Sequence, residues 1–143
     1  MKRLLVILSV FFSIVWAVPQ TAQAQCDTGT LTSIALNKLG DHTFVKSYRI
    51  DGRDGKRKTI EYTCVFSKDT DYRIRIASKD GGANGIIATL YDSKRNQVGT
   101  SFISNKFLNG ITYKCEATGI YYLKFEFHNS KNFCGAAVLG FHR

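Results

Sequence analysis

Between residues 118 and 127 apolar and polar side chains alternate: Tyr121, Leu123, Phe125 and Phe127 fall on one face, Tyr122, Lys124 and Glu126 on the other. A period of two with aromatic residues throughout predicts a half-buried strand rather than a helix. Thr118-Gly119 ahead of it reads as a turn in which the glycine is free to take a positive φ. The same alternation recurs along the chain, with Phe44, Tyr48 and Ile50 on one face, then Ile60, Tyr62 and Cys64, then Tyr72, Ile74 and Ile76 set against Arg73 and Arg75. Further strands are predicted over 86–91, 98–103, 111–117 and 134–141, separated by segments rich in Gly, Asp, Asn and Ser such as 51–55, 79–85 and 92–96. About eight short strands at regular spacing predict an all-β sandwich or barrel. The one proline, Pro19, lies outside all of them, so no strand loses an N–H.

One stretch has the other period. Leu31, Ile34, Ala35 and Leu39 share a helical face, Thr28 or Thr30 is placed to cap its start, and Gly40 to end it. A helix of about 31–39 is too short to stand alone and is expected to lie against the sheets, which begin near residue 43.

The pattern I-x-Y-x-C occurs twice, at Ile60-Glu61-Tyr62-Thr63-Cys64 and Ile111-Thr112-Tyr113-Lys114-Cys115, each time followed by a turn and an aromatic alternating strand. Two similar strand pairs are what two Greek-key halves of a sandwich supply. The four cysteines, Cys26, Cys64, Cys115 and Cys134, have no C-x-x-C spacing, which argues for two disulfides over a metal site. Of the three possible connectivities, the echo favours Cys64–Cys115 with Cys26–Cys134.

The start of the chain fixes the expected compartment. Met1-Lys2-Arg3, an apolar run from Leu4 to Val18 and the small-residue pattern Ala22-x-Ala24 predict a secretory signal peptide over 1–24 and one domain over 25–143. The run is shorter than the ~20 residues that span a bilayer, so a membrane anchor is the weaker reading. Lipid attachment at Cys26 is a further alternative, although Gln25 stands where such a signal wants a small residue. The net charge is +9, and without Lys2 and Arg3 it is +7, a balance that attracts anionic partners. Arg53, Lys56, Arg57 and Lys58 form the one basic cluster, and Arg73 and Arg75 on a nearby strand are candidates to extend it into an anion- or ligand-binding face. Nucleic acid would want aromatic platforms among these charges; Tyr48 and Tyr62 fall on the expected core face instead, so no nucleic-acid partner is expected.

No catalytic or nucleotide fingerprint is present, and no cofactor or metal is expected. His42, His128 and His142 are scattered through loop and strand ends. Asp51-Gly52-Arg53-Asp54-Gly55 lacks the acidic positions and closing Glu of a calcium loop and reads as a hairpin turn. Glu61 and Glu126 are the carboxylates a glycosidase would need on paper, but exposed strand Glu residues commonly pair with a neighbouring Lys or Arg. Asn84, Tyr91, Asn105 and Phe107, in or beside loops, are candidates for a site at one end of the sandwich.

Leu90-Tyr91-Asp92-Ser93-Lys94-Arg95-Asn96-Gln97-Val98 resembles the L-x-D-x-x-G-x-x-V hairpin of secreted bacterial sandwich modules, and 111–123 resembles their tG-x-YY corner. The chain is thus similar, over residues 43–141, to the pre-peptidase C-terminal-like domains, jelly-roll β-sandwiches appended to exported enzymes. It departs from their pattern at Asn96, which replaces the hairpin Gly, and in the sparseness of acidic residues near the start, which argues against a calcium site. The resemblance implies a jelly-roll sandwich, and with the residue patterns above the expectation is a small, disulfide-stapled, jelly-roll-like sandwich with one N-terminal helix, secreted or periplasmic. The expected function is a non-catalytic interaction module that recognises a protein or glycan of the envelope or exterior through end loops or the basic face. The alternatives are a small secreted hydrolase or inhibitor acting on envelope polymers, or a structural part that lends an edge strand to a neighbour's sheet.

Overall fold

The computed structural model describes residues 26–143; the signal-peptide reading concerns residues 1–24 and lies outside them. Among the described residues one helix, α1 (Thr28–Asn37), precedes ten strands: β1 (Thr43–Asp51), β2 (Thr59–Phe66), β3 (Asp71–Ser78), β4 (Ile86–Tyr91), β5 (Gln97–Thr100), β6 (Phe102–Ile103), β7 (Lys106–Phe107), β8 (Gly110–Lys114), β9 (Gly119–Phe127) and β10 (Cys134–His142). They form two antiparallel four-stranded sheets, β1-β10-β3-β8 and β2-β9-β4-β5, with β6 and β7 as a separate small hairpin. Successive strands cross between the sheets at most corners, which is the wrapping of a jelly roll.

The alternation that predicts the strands also fills the space between the sheets. Ile50, Phe66, Ile74, Ile76, Ile86, Leu90, Leu123 and Phe125 are fully buried there. Phe66 stacks on Tyr72 with ring centroids 3.8 Å apart. Side chains of this size each stabilise the fold by roughly 1.5–3 kcal/mol when removed from water. β9 is central in its sheet, with Tyr121, Leu123 and Phe125 inward as its pattern predicts. β10 is buried on both faces because α1 covers the outer one: Leu31, Ala35 and Leu39 pack on Ala136, Val138 and Cys134.

Several local expectations are corrected. The helix begins three residues earlier than expected, because the carboxylate of Asp27, not Thr28 or Thr30, accepts from the N–H groups of Gly29 and Thr30. Ile34 points to solvent at 41% exposure, leaving Leu31, Ala35 and Leu39 as the buried stripe. In β1 the register shifts between Phe44 and Lys46, and this bulge turns Phe44 outward (48% exposed) although Tyr48 and Ile50 point in. The strand predicted over 98–103 is instead divided between β5 and the start of the β6–β7 hairpin, whose turn residues Ser104 and Asn105 both have positive φ.

The I-x-Y-x-C echo has a structural counterpart. β2 pairs with β9 and β8 with β3, so the two repeats lie in one long antiparallel ribbon folded across the end of the sandwich. Asp69 N–H donates to Cys115 O and Cys115 N–H to Thr70 O, which carries the pairing round the corner. The register also settles the cysteines. Cys64 lies opposite Tyr121 while Cys115 sits at the corner against Thr70, so the two halves of the echo are not neighbours. Cys26 and Cys134 form the expected disulfide, but Cys64 and Cys115 are buried free thiols, contrary to the expected second bond. The Cys64 sulfur lies 3.1 Å from the Tyr48 hydroxyl, and the Cys115 thiol donates to Ala117 O at 3.2 Å. The bond to Cys134 also occupies the Cys26 sulfur that lipid attachment would need.

Candidate functional site

At the end of the sandwich where β1, β10 and β3 stop or start side by side, a cleft of about 350 Å³ opens. Its walls are the β1–β2 turn (Arg53, Asp54, Lys56), the last residues of β1 (Arg49, Asp51), Lys79 beyond β3, the approach to β10 (Asn132, Phe133) and the Cys26–Cys134 disulfide. The register explains the convergence: Asp51 pairs with Cys134 and Ser78 with Gly135, while Lys79 N–H donates to Cys134 O and Gly52 N–H to Phe133 O.

The turn has an unusual backbone. Arg53, Asp54 and Gly55 all have positive φ (48°, 54° and 88°), a short left-handed stretch closed by Gly55 N–H and Arg57 N–H donating to Gly52 O. Left-handed non-glycine residues each cost on the order of 1–3 kcal/mol and persist only where surrounding structure fixes them. Gly55 relieves part of that cost, and the Phe133 ring sits over it, 3.2 Å from where a Cβ would stand. Arg53 N–H donates to Asp51 Oδ1 at 2.9 Å, holding the turn to the strand end.

The electrostatics are asymmetric. Asp51 also accepts from Arg49 Nη2 at 2.7 Å, and the backbone hydrogen bond from Arg53, then the Arg49 guanidinium, hold its carboxyl below the usual range despite some burial. Arg49 and Asp51 therefore neutralise one another. Among the described residues, Arg53, Lys56 and Lys79 form no ion pair, and the one further acid in the cleft, Asp54, is likewise unpaired. The cleft carries a net positive charge on side chains open to solvent.

Of the six basic residues that stand out in the sequence, the structure brings Arg53 and Lys56 into this cleft. Arg57 and Lys58 continue the exposed β1–β2 connection, which passes from one sheet to the other and is not the expected hairpin turn, because β1 pairs with β10 and β2 with β9; they do not line the cleft. Arg73 and Arg75 have a different task. Arg73 Nη1 donates to Leu39 O at 2.9 Å and Arg75 Nε to Lys38 O at 3.1 Å, so both satisfy carbonyls left open just past the end of α1. Burial lowers the Arg75 pKa, in keeping with a guanidinium seated under the helix. Arg49, Lys79, Asn132 and Phe133 do not stand out in the sequence, because nothing local marks them; only the strand order places them together.

Other candidates disperse. Glu61 is bound by Arg95 at 2.7 Å and Glu126 by Lys124 at 3.0 Å on the outer face of the second sheet. Arg95 also lies 3.6 Å above the Tyr122 ring. Asn84 and Phe107 share a second recess with His128, but Tyr91 and Asn105 do not line it. His128 lies against the Phe102 and Phe107 rings, and His42 bonds Asp41 near His142. Among the described residues no three His, Cys, Asp or Glu side chains are grouped as metal ligands, and no helix is long and apolar enough to cross a membrane. The β4–β5 hairpin forms without a glycine at position 96, because the positive φ falls on Arg95 while Asp92 accepts from the N–H groups of Lys94 and Asn96.

No protein family matches the sequence, and no curated protein is similar to it. The solved structures similar to it in fold include two of known description. One is PliG of Aeromonas hydrophila, a periplasmic lysozyme inhibitor of g-type lysozyme, with a TM-score of 0.46 and 11% identity over 71% of this chain and 89% of that one. The other is the pre-peptidase C-terminal domain of collagenase from Bacillus anthracis, with a TM-score of 0.45 and 19% identity over the same shares. Both are likenesses of fold alone.

Proposed function

We propose that this protein is an exported, non-catalytic binding module that recognises an anionic partner, a protein or a glycan, through the basic cleft at one end of the sandwich. The observation that carries this reading is the set of Arg53, Lys56 and Lys79, three unpaired cations converging on one concavity beside the disulfide. The volume lies within the roughly 300–1,000 Å³ of sites that hold small groups. Export rests on the leader-like residues 1–24 and on the Cys26–Cys134 bond, which persists in oxidising compartments. A hydrolase finds its candidate carboxylates, Glu61 and Glu126, already engaged by cations on an open sheet face.

Titration with polygalacturonate and with polyglutamate, against neutral dextran, tests the proposal. An anionic polymer is expected to bind and to weaken as salt rises. R53E/K56E should lower that affinity by about tenfold or more, whereas K68E/K114E, with the same change in net charge at the far end, should lower it less than about threefold. Equal losses in the two double variants would show that net charge alone attracts the polymer, and the cleft reading would fall.

A further inference from the structure

Resting on the basic-cleft reading, we infer that the cleft takes a carboxylated saccharide, a uronate-type sugar chain, rather than an acidic peptide. The distinction lies in what the cleft offers besides positive charge. Asp54 is exposed, unpaired and held among the cations by the left-handed turn. Asn132 donates its amide nitrogen to Asp80, so its carbonyl oxygen remains as an acceptor. That orientation is secured by Asp80, which also accepts from Ser130 Oγ and Lys131 N–H. Burial raises the Asp80 pKa, but these hydrogen bonds outweigh it, so the carboxyl lies below its usual range and stays ionised.

The site thus combines three cations with two acceptors, Asp54 and Asn132, and the aromatic side chain of Phe133. Acidic side chains of a peptide would meet the cations but would be repelled by Asp54 and carry no donor for it; the peptide's donors are its backbone N–H groups, one per residue and set apart from the carboxylates by the side chains. A uronate ring carries both functions on one unit. Its carboxylate meets Arg53, whose guanidinium binds such groups in a fork, with Lys56 and Lys79 adding charge. Its hydroxyls donate to Asp54 and Asn132, and its C–H face lies along Phe133. An unpaired acid inside a cationic cleft costs affinity for a bare anion and favours an anion that carries donors on the same ring as its carboxylate, as a uronate does with its hydroxyls.

The test is isothermal titration with hexagalacturonate and with hexaglutamate acetylated at its N-terminus and amidated at its C-terminus, which then carry matching numbers of carboxylates, on the wild type and on Asp54→Gly and Asp54→Asn. Both substitutions accept the left-handed backbone. Hexagalacturonate should bind at least about tenfold tighter than hexaglutamate. Asp54→Gly should weaken hexagalacturonate about fivefold or more while leaving hexaglutamate unchanged or tighter, and Asp54→Asn, which keeps an acceptor oxygen, should fall between. If both ligands bind alike, or Asp54→Gly strengthens both, the saccharide assignment is overturned while the basic cleft stands. Binding of neither ligand overturns the cleft reading and the saccharide assignment together.

Discussion

Tyr121 shows how single residues hold the corners of this fold. Its ring is buried against Phe66, and its hydroxyl donates to Ala117 O at 2.8 Å while lying 3.3 Å from the Tyr113 hydroxyl. A tyrosine returning its hydroxyl to backbone just upstream ties a strand to the corner before it. The two free thiols flank this residue, Cys64 across the β2–β9 pair and Cys115 near its hydroxyl. Burial pushes the Cys64 thiol up, which keeps it protonated and unreactive. A thiol reagent should therefore label neither cysteine in the native protein and both after denaturation without reduction, with peptide mapping showing Cys26–Cys134 as the one bond. A mapped Cys64–Cys115 bond would contradict the register described here. The parity of cysteines in the sequence points to two bonds because it counts thiols. It does not carry the offset along the ribbon, where Cys64 faces Tyr121 rather than Cys115, that keeps this pair apart.

The elements differ in how far local pattern decides them. β9 and β3 are legible because strict alternation matches one buried and one half-exposed face. The first half of β1 is not, since a bulge reverses the face of Phe44 without any local signal. α1 is legible in existence but not in extent, because its cap is Asp27 and its end is completed by Arg73 and Arg75 from β3. Their alternation with Tyr72, Ile74 and Ile76 marks them as outward-facing, and a basic outward face reads equally well as a ligand surface until the helix is seen lying on it. Glycine at strand starts offers a direct check. Gly119 does not adopt the positive φ expected of it, and a Cβ added there would meet no heavy atom within 4 Å. Gly110, by contrast, has φ +147°, and a Cβ there would run into the Ile74 carbonyl. Thermal or chemical denaturation should find Gly110→Ala destabilised by about 2 kcal/mol or more. Gly119→Ala should change stability by no more than about 1 kcal/mol, in the stabilising direction.

For the whole molecule, the jelly roll follows from eight principal strands whose number the turn spacing already suggests and whose two-part arrangement the echo suggests. The cleft does not follow in the same way. Arg53 and Lys56 stand out as part of a run of charge with Arg49 just before it, but Lys79 and Asn132 come from distant segments and meet them only because β10 inserts between β1 and β3. The disulfide crosses that same junction, joining Cys26 to Cys134 over a separation of 108 residues. The junction is therefore both the best-stapled part of the molecule and the place where unpaired charge collects. Mapping hexagalacturonate onto the protein by amide shifts in an NMR titration tests this assignment most directly. The account predicts that the shifts centre on Arg49, Arg53, Asp54, Lys56, Lys79 and Phe133 and are lost in R53E/K56E. Shifts centred instead on the opposite end, around Lys94 and Thr118, or on the outer sheet face around Tyr122 and Lys124, would contradict it.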